Sequence, residues 1–266
     1  MNHLQREKAP LTDAVWAEID EEAKRILEHF LAARRLLGFL GPKGWAHAAE
    51  PTGRVEDAGR LQDGAVEVRT RTVQPMVELR TPFELSRAAL DVVDRGACDV
   101  DLDAVVAAAR AAALAEDQMV FHGAAGCPGL TGASPHTPVE ISNDYEHYAR
   151  FVAQGMALLQ DAGVGGPYAI ALGPRCYTGV IEESEMGGYP VLEHLRLILG
   201  GPVVRAQAVN GAVVLSLRGG DFELVSGQDL SIGYLDHDVE TVRLYIEESV
   251  ALRICAPEAA IHLAYP

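Results

Sequence analysis

Residues 51–76 have the sequence PTGRVEDAGRLQDGAVEVRTRTVQPM, and this stretch decides how the rest of the chain must be organised. Asp63-Gly64 is a typical hairpin turn. The residues after it alternate with charged side chains, which predicts a β-strand with one charged face: Val66, Val68, Thr70 and Thr72. The stretch has too few large apolar residues for a core of its own, and an isolated hairpin is marginal in water. We therefore expect the hairpin to pack on the body of its own chain or to reach onto a neighbouring subunit.

N-terminal to the hairpin, residues 10–40 carry the clearest helical pattern in the chain. Thr12 is a candidate N-cap, and Asp13 follows it at the positive end of the helix. Apolar residues then repeat at spacings of three and four, which predicts one continuous stripe: Trp16, Ile19, Ala23, Ile26, Phe30, Ala33 and Leu37. The stripe is widened by Leu27, Leu31, Leu36, Phe39 and Leu40. We expect it to pack on the protein's own core, with the alternative that part of it serves a partner or a docked peptide.

C-terminal to the hairpin, the pattern mixes helices and strands. A second helix is predicted over residues 99–122, followed by a Gly-rich link, and residues 144–200 alternate between helix and strand. From residue 202 onward the pattern is rich in strands, with Asn210-Gly211 predicted as a hairpin turn. No βαβ unit repeats, so the order favours an α+β fold over a doubly wound sheet.

The charge balance limits the partners that the chain is expected to bind. Of its 266 residues, 22 are Lys or Arg and 38 are Asp or Glu, which gives a net charge of −16. This balance argues against nucleic acid and against anionic membrane surfaces. The cysteines are far apart and lack metal-site spacing, which is typical of reduced thiols in the cytoplasm: Cys98, Cys127, Cys176 and Cys255. With no signal-like or membrane-spanning run, we expect a cytoplasmic protein.

Catalytic and cofactor motifs are absent from the sequence. It contains no phosphate-binding Gly-rich motif, no nucleophile elbow and no H-E-x-x-H. Asp236-His237-Asp238 is more typical of a solvated turn than of a metal site. Glu116-Asp117 is expected to form salt bridges or caps, because adjacent residues do not share a helix face. We expect no metal, no cofactor and no enzymatic activity.

Residues 227–234, GQDLSIGY, resemble the corresponding segment of the encapsulins, the shell proteins of bacterial nanocompartments. Other segments agree with the family in order and spacing across essentially the whole chain: Ala9-Pro10-Leu11-Thr12, Gly41-Pro42-Lys43-Gly44-Trp45, Glu78-Leu79-Arg80, Glu116-Asp117, Gly166-Pro167-Tyr168 and Gly219-Gly220-Asp221-Phe222. The resemblance implies a Hong Kong 97-type phage capsid fold. It implies a peripheral (P) domain from residues 1–50, 77–131 and 226–266, an extended loop at 51–76 and an axial (A) domain at 132–225.

The resemblance also implies three working surfaces on a homo-oligomeric icosahedral shell, which has sixty subunits in its smallest form. The C-terminal peptide of a cargo enzyme would dock, with Arg34 as polar anchor, on Leu27, Phe30, Leu31, Arg34, Leu36, Phe39, Leu230 and Ile232. Gly38 departs from the Asp that the family commonly has there. A pore favouring cations would be lined by Glu182, Glu183 and Glu185, with a merely solvated acidic loop as the alternative. The strand at 66–72 would pair across subunits.

The family's usual cargoes are dye-decolorising peroxidase and ferritin-like iron oxidase, so the resemblance implies a role in oxidative stress or iron storage. Two other interpretations stay open at this point. One is a phage or prophage capsid protein, against which the acidic balance argues. The other is a bacteriocin- or protease-type enzyme, against which the missing nucleophile and base argue.

Overall fold

The computed structural model describes residues 3–97, 99–124, 126–185 and 187–266. Cys98, one of the expected thiols, and Met186, in the expected pore loop, lie outside the described residues. The helices are α1 Asp13–Phe30, α2 Arg87–Asp94, α3 Asp103–His122, α4 Gly129–Ala133, α5 Tyr148–Asp161, α6 Pro174–Glu182 and α7 Val191–Leu199. The strands are β1 Gly38–Leu40, β2 Ala49–Leu61, β3 Val66–Pro75, β4 Val77–Ser86, β5 Val139–Glu140, β6 Tyr168–Leu172, β7 Val203–Arg205, β8 Ala212–Ser216, β9 Phe222–Ser226, β10 Ser231–His237, β11 Thr241–Ile254 and β12 Ala260–Ala264.

The first sheet is organised around the long strand β11. β10 and β4 both pair antiparallel with β11, and β4 follows it from Thr241 to Val250. β9 pairs antiparallel with the end of β11, and β1 lies parallel to β9. Helices α1 and α3 pack on this sheet, and the first core includes Val15, Ile19, Ile26, Phe83, Val105, Ala109, Leu244 and Ile246. Alternating apolar residues in β11 and small residues in α3 allow this close packing.

The second sheet has the order β5-β12-β8-β6-β7. Its central strands β12, β8 and β6 are antiparallel, whereas β5 and β7 are parallel to their neighbours. Every residue of β6 and β8 is buried, which explains their continuous apolar runs. The predicted domain boundaries stay a prediction. Two strands cross them, because β9 belongs to the first sheet and the C-terminal strand β12 belongs to the second.

The first helix ends earlier than the sequence predicts. α1 stops at Phe30, and a 3₁₀ turn and β1 follow it. The carboxylate of Asp117 accepts hydrogen bonds from the backbone N–H groups of Ala32 and Ala33, which takes these two amides away from a continued helix. The apolar pattern continues past the break because the residues after it are still buried, including Ala33, Leu36 and Leu37.

The predicted hairpin at Asn210-Gly211 is wrong, although the strands on both sides of it exist. β7 pairs parallel with β6, and β8 pairs antiparallel with the same strand, so β6 lies between them. The segment between β7 and β8 therefore crosses over β6 and does not form a hairpin turn. Gly211 has a φ of +80°, and a Cβ on it would lie 2.1 Å from the carbonyl oxygen of Leu263, so glycine is required at this crossing.

The hairpin of β2 and β3 stands away from the rest of the chain. The two strands pair from Ala49 and Pro75 at the base to Leu61 and Val66 at the tip. Of β2, only Glu50 at the base is buried, and most of β3 is exposed. The structure therefore excludes packing of this hairpin along the body of its own chain, the first of the two expectations from the sequence.

Candidate docking groove and assembly surfaces

A groove of about 470 Å³ lies between α1 and the start of β10. Five of the predicted docking residues line it: Leu27, Leu31, Arg34, Leu230 and Ile232. Ala23 and Ile246 extend its apolar wall. The fold brings together residues about two hundred positions apart, because α1 packs across the sheet that contains β10.

Three other predicted docking residues do not line this groove. Phe30 lies at the end of α1 with the Arg110 guanidinium over its ring, 5.1 Å from the ring centroid. Leu36 is buried in the core of the second sheet. The ring of Phe39 lies under the Arg34 guanidinium at 4.7 Å, so Phe39 supports Arg34 from below. Gly38 is exposed at the start of β1 and also does not line the groove.

Arg34 is held by three carboxylates at the floor of the groove. Its Nε and Nη2 donate to Glu116 at 2.8 and 2.6 Å. Nη2 also donates to Glu248 at 2.9 Å, and Nη1 donates to Asp229 at 2.7 Å. These bonds engage four of the five N–H groups of a guanidinium. Asp229 keeps a partly exposed carboxylate at the groove, which can accept a hydrogen bond there.

The carboxylates beneath Arg34 are buried, and burial changes their protonation. Burial is the main cause that raises the pKa of Glu248 well above its ordinary value, and the neighbouring charge of Glu116 adds to it. Oε1 of Glu248 has no hydrogen-bond partner as a carboxylate, whereas a protonated Glu248 donates to Glu116. Burial likewise raises the pKa of Asp117 to about 7, against the opposing effect of the N–H groups of Ala33 and Ala32. The expected salt-bridge and capping roles of Glu116 and Asp117 are confirmed.

One wall of the groove is a segment that the sequence analysis missed. The carbonyl oxygen of Leu4 accepts from the backbone N–H of Tyr234 at 2.8 Å, which ties the N-terminal segment to β10. Arg6 forms two bonds to Asp20, at 3.0 and 2.7 Å, and lies 3.9 Å from the Trp16 ring centroid. The segment is too short for periodicity to detect, and its partners are distant in sequence.

The three predicted pore residues lie at the end of α6 and in the loop that follows it, but their environments differ. Glu182 and Glu183 are exposed. Glu185 is half-buried, and its Oε1 lies 2.5 Å from Nδ1 of His194. The N–H of Glu185 donates to the carbonyl oxygen of Tyr189 at 2.9 Å, which closes the loop on itself. The loop thus presents two exposed carboxylates and one that is tied to α7.

The remaining candidates from the sequence have structural roles. Asp236-His237-Asp238 is exposed, as expected, but only Asp238 lies in the turn, where it accepts from the backbone N–H groups of Glu240 and Thr241. Asp236 and His237 end strand β10 and pair with Arg243 and Val242 of β11. Within the described ranges, no three His, Cys, Asp or Glu side chains converge as a metal site would require. None of the helices in the described part of the chain combines the length and the apolar character that crossing a membrane demands.

Comparison with known proteins identifies the family. A family model described as "encapsulating protein for peroxidase" matches residues 1–251. The chain is 45% identical over 270 residues to a type 1 encapsulin shell protein of Rhodospirillum rubrum, covering 99% of this chain and 96% of that protein. It is 40% identical over 267 residues to that of Mycobacterium tuberculosis, with 100% of each covered. The chain belongs to the encapsulin shell proteins.

Solved structures support the fold of this encapsulin. A virus-like particle from Pyrococcus furiosus aligns with a TM-score of 0.67 at 17% identity, covering 92% of this chain and 98% of that one. A structure from Gordonia phage Cozz aligns with a TM-score of 0.54 at 14% identity, covering 87% and 85%. The predicted α+β, Hong Kong 97-type capsid fold is confirmed. As an encapsulin, the protein is a shell protein that self-assembles into a multimeric shell.

Proposed function

We propose that this encapsulin closes into an icosahedral shell, with sixty subunits in its smallest form, that encloses a cargo enzyme in the cytoplasm. The observation that carries the proposal is the exposed hairpin. Its strands of 13 and 10 residues extend away from the two cores. Ordering so much backbone costs conformational entropy, which contacts must offset. The described part of the chain supplies such contacts only at the base of the hairpin.

The outer edges of β2 and β3 supply such contacts to a second copy. Exposed strand edges present unpaired N–H and C=O groups that pair readily with another strand. Val66 and Thr70 are exposed and Val68 and Thr72 are half-buried, and all four lie in β3. Large apolar side chains are also exposed along the hairpin, with 53% of Val55 and 54% of Val73 accessible. The strand at 66–72 pairs with a neighbouring subunit in this proposal, and burial of these side chains stabilises the shell.

The groove beside α1 takes the C-terminal peptide of the cargo. Its apolar wall suits leucine- or isoleucine-like side chains, and the carboxylate of Asp229 accepts from an N–H group of the peptide. Leu27, Leu31, Leu230 and Ile232 provide the contacts, while Arg34 and Phe39 fix the floor. Phe30 and Leu36 act only through packing. A multimeric cargo binds many such grooves at once, so each peptide needs only modest affinity.

The end of α6 and the loop after it line an opening in the shell. Glu182 and Glu183 repeat around a symmetry axis, and a ring of carboxylates favours cations over anions. Glu185 acts as a fixed member of the ring through His194. The proposed cargo is a dye-decolorising peroxidase or a ferritin-like iron oxidase, and the family description supports the peroxidase. The chemistry belongs to the cargo, and the shell contributes enclosure and selective passage.

Light scattering coupled to size-exclusion chromatography tests the proposal on the purified protein. We expect a particle with a mass on the order of megadaltons, because sixty copies assemble. Co-expression with a fluorescent protein that carries the cargo's C-terminal peptide should give fluorescent particles. A small oligomer under native conditions would contradict the shell, and particles that exclude the tagged protein would contradict the docking groove.

A further inference from the structure

A second pocket of about 300 Å³ lies between the end of α1 and β7, and Glu28 lines both it and the docking groove. Two aromatic rings and two guanidinium groups line it, those of Phe30, Tyr177, Arg35 and Arg205. A third guanidinium joins them from α3. Arg110 lies over the ring of Phe30 at 5.1 Å, and its Nη2 donates to the side chain of Gln207, which also lines the pocket, at 3.1 Å.

The charge of this pocket is opposite to that of the chain. The protein carries a net charge of −16, yet no carboxylate in the described ranges lies within 4.0 Å of the guanidinium nitrogens of Arg35, Arg110 or Arg205. Aromatic rings contact two of these three guanidinium groups. Arg110 lies over the ring of Phe30, and Arg205 lies 5.8 Å from the ring centroid of Tyr177. A cation–π contact positions a guanidinium without neutralising it, so its N–H donors keep their full charge.

One carboxylate stands at the rim of this pocket. Glu28 lines it, and its Oε1 lies 3.8 Å from Nζ of Lys24 on the exposed side of α1. The lining also contains the phenol of Tyr177 and the imidazole of His29, which packs edge-on against Phe30 at 4.8 Å. Three guanidinium groups against one partly engaged carboxylate leave the pocket positive at neutral pH.

We propose that this pocket binds a small polyanion of the phosphate class. Guanidinium groups bind phosphate oxygens through paired, charge-assisted hydrogen bonds, and several arginines around one cavity match an anion with more than one negative charge. The volume of the pocket is at the lower end of the range for small-molecule sites, which suits a di- or triphosphate group. The site differs from the docking groove, because the two share Glu28 but its arginines do not line the groove of Leu27 and Leu230.

Isothermal titration calorimetry of the assembled protein with pyrophosphate tests the site directly. Arg35→Ala and Arg205→Ala should each weaken pyrophosphate binding about tenfold, because each removes a charge-assisted contact. Glu28→Gln should strengthen binding, because it removes the one carboxylate at the rim. Arg150→Ala removes an exposed arginine on α5, away from the pocket, and should leave binding unchanged. ATP serves as a second probe. If pyrophosphate and ATP bind with equal affinity, the ligand of the pocket is a free polyphosphate. If ATP binds more tightly than pyrophosphate, the ligand is a nucleoside phosphate.

Three results would overturn the assignment. The first is pyrophosphate binding that the Arg35 and Arg205 substitutions leave unchanged. The second is citrate binding as tight as pyrophosphate binding, which would mean that the pocket selects carboxylates equally well. The third is loss of particles in both arginine variants, which would show that these side chains contact another subunit. Chromatographic size, measured on every variant, separates this last result from a loss of binding.

Discussion

The long strand β11 and the hairpin of β2 and β3 obtain their stability from different sources. β11 is buried over most of its length and pairs with three strands of its own chain. The hairpin has strands of similar length, but they pair with each other and are exposed beyond the base. β11 is therefore stable within one subunit, whereas in the proposed shell a second copy stabilises the hairpin. Substitutions in β11 should affect folding, and substitutions in the hairpin should affect assembly.

The largest effect is expected from removing the hairpin. Replacing residues 53–71 with two glycines should abolish particles, because the edge that pairs with a neighbour is gone. The subunit should still fold, since both cores lie elsewhere. Light scattering measures the mass, and circular dichroism measures the melting temperature, which we expect to stay within a few degrees. As a control, replacing only the tip, residues 62–65, with Asn-Gly should preserve particles. Formation of particles by the variant without the hairpin would contradict the proposed role of the hairpin in assembly.

The second effect concerns β11. Leu244→Ala should lower the free energy of unfolding by about 2–5 kcal/mol, because it leaves a cavity in a fully buried site. Leu61→Ala in the hairpin, where the side chain is 61% exposed, should lower it by less than about 0.5 kcal/mol. Leu61→Ala should instead reduce the yield of particles. Denaturant titration of unassembled subunits gives both energies, and equal losses in the two variants would contradict the comparison.

The third effect concerns the proposed cargo docking in the groove beside α1, which α1 and the first sheet of one subunit form. Leu27→Asp should leave particles intact but reduce loading of tagged cargo at least tenfold, because it puts a charge on the apolar wall. Val239→Asp adds the same charge to an 87% exposed turn and should not change loading. The ratio of cargo to shell bands on a denaturing gel measures loading. Normal loading in Leu27→Asp would place the docking site elsewhere.

A smaller effect is expected from pH, through Asp117. The folded state raises its pKa to about 7, whereas an unfolded Asp titrates near about 3.9, so the folded state binds the proton more tightly. Its contribution to stability is full below about pH 4 and is lost as pH rises toward 7 and above. Between pH 5 and pH 8 the free energy of unfolding should fall by up to a few kcal/mol.

Asp117→Asn should flatten this pH dependence, because the amide oxygen still accepts from Ala32 or Ala33 but carries no proton to lose. Asp13→Asn, an exposed site at the start of α1, serves as the control and should keep the slope of the original protein. Denaturant midpoints at pH 5 and pH 8 give the comparison. The account of the buried carboxyl would fail if Asp117→Asn had the same slope as the unmodified chain.

The smallest effect is expected at the proposed pore. Glu182→Gln with Glu183→Gln should slow the entry of a divalent cation into assembled particles a few-fold and leave the entry of a neutral solute unchanged. Stopped-flow fluorescence of a metal-sensing cargo measures the entry rate. Glu193→Gln, on α7 and paired with Arg196, provides a control outside the loop that removes one negative charge, against two in the double variant. Equal rates in all three proteins would favour a merely solvated acidic loop.

Local patterns in the sequence predicted several elements well. The alternation in residues 66–72 predicted β3, and the α3 helix and the long strand β11 follow their apolar periodicities. The whole-chain resemblance predicted the capsid fold, which local patterns alone did not. The sequence also predicted five residues that the fold places on one groove.

The errors have one physical cause, which is competition from residues distant in sequence. Asp117 ends α1 at Phe30 from 85 residues away, and periodicity cannot report such a contact. β6 inserts between β7 and β8, so a correct turn signal at Asn210-Gly211 gave the wrong pairing. The contacts of Arg34 illustrate the same limit of local patterns, because its partners are carboxylates far along the chain. In the proposed docking mode, Arg34 fixes the groove floor, and the carboxylate of Asp229 is an exposed acceptor.

Single-particle electron microscopy of the purified protein tests the central claim most directly, namely that the hairpin obtains its stability from another copy. We expect closed icosahedral particles in which residues 66–72 lie against a neighbouring subunit, with Val66 and Val73 buried at that contact. Monomers or dimers, or particles in which the hairpin extends into solvent, would contradict the account.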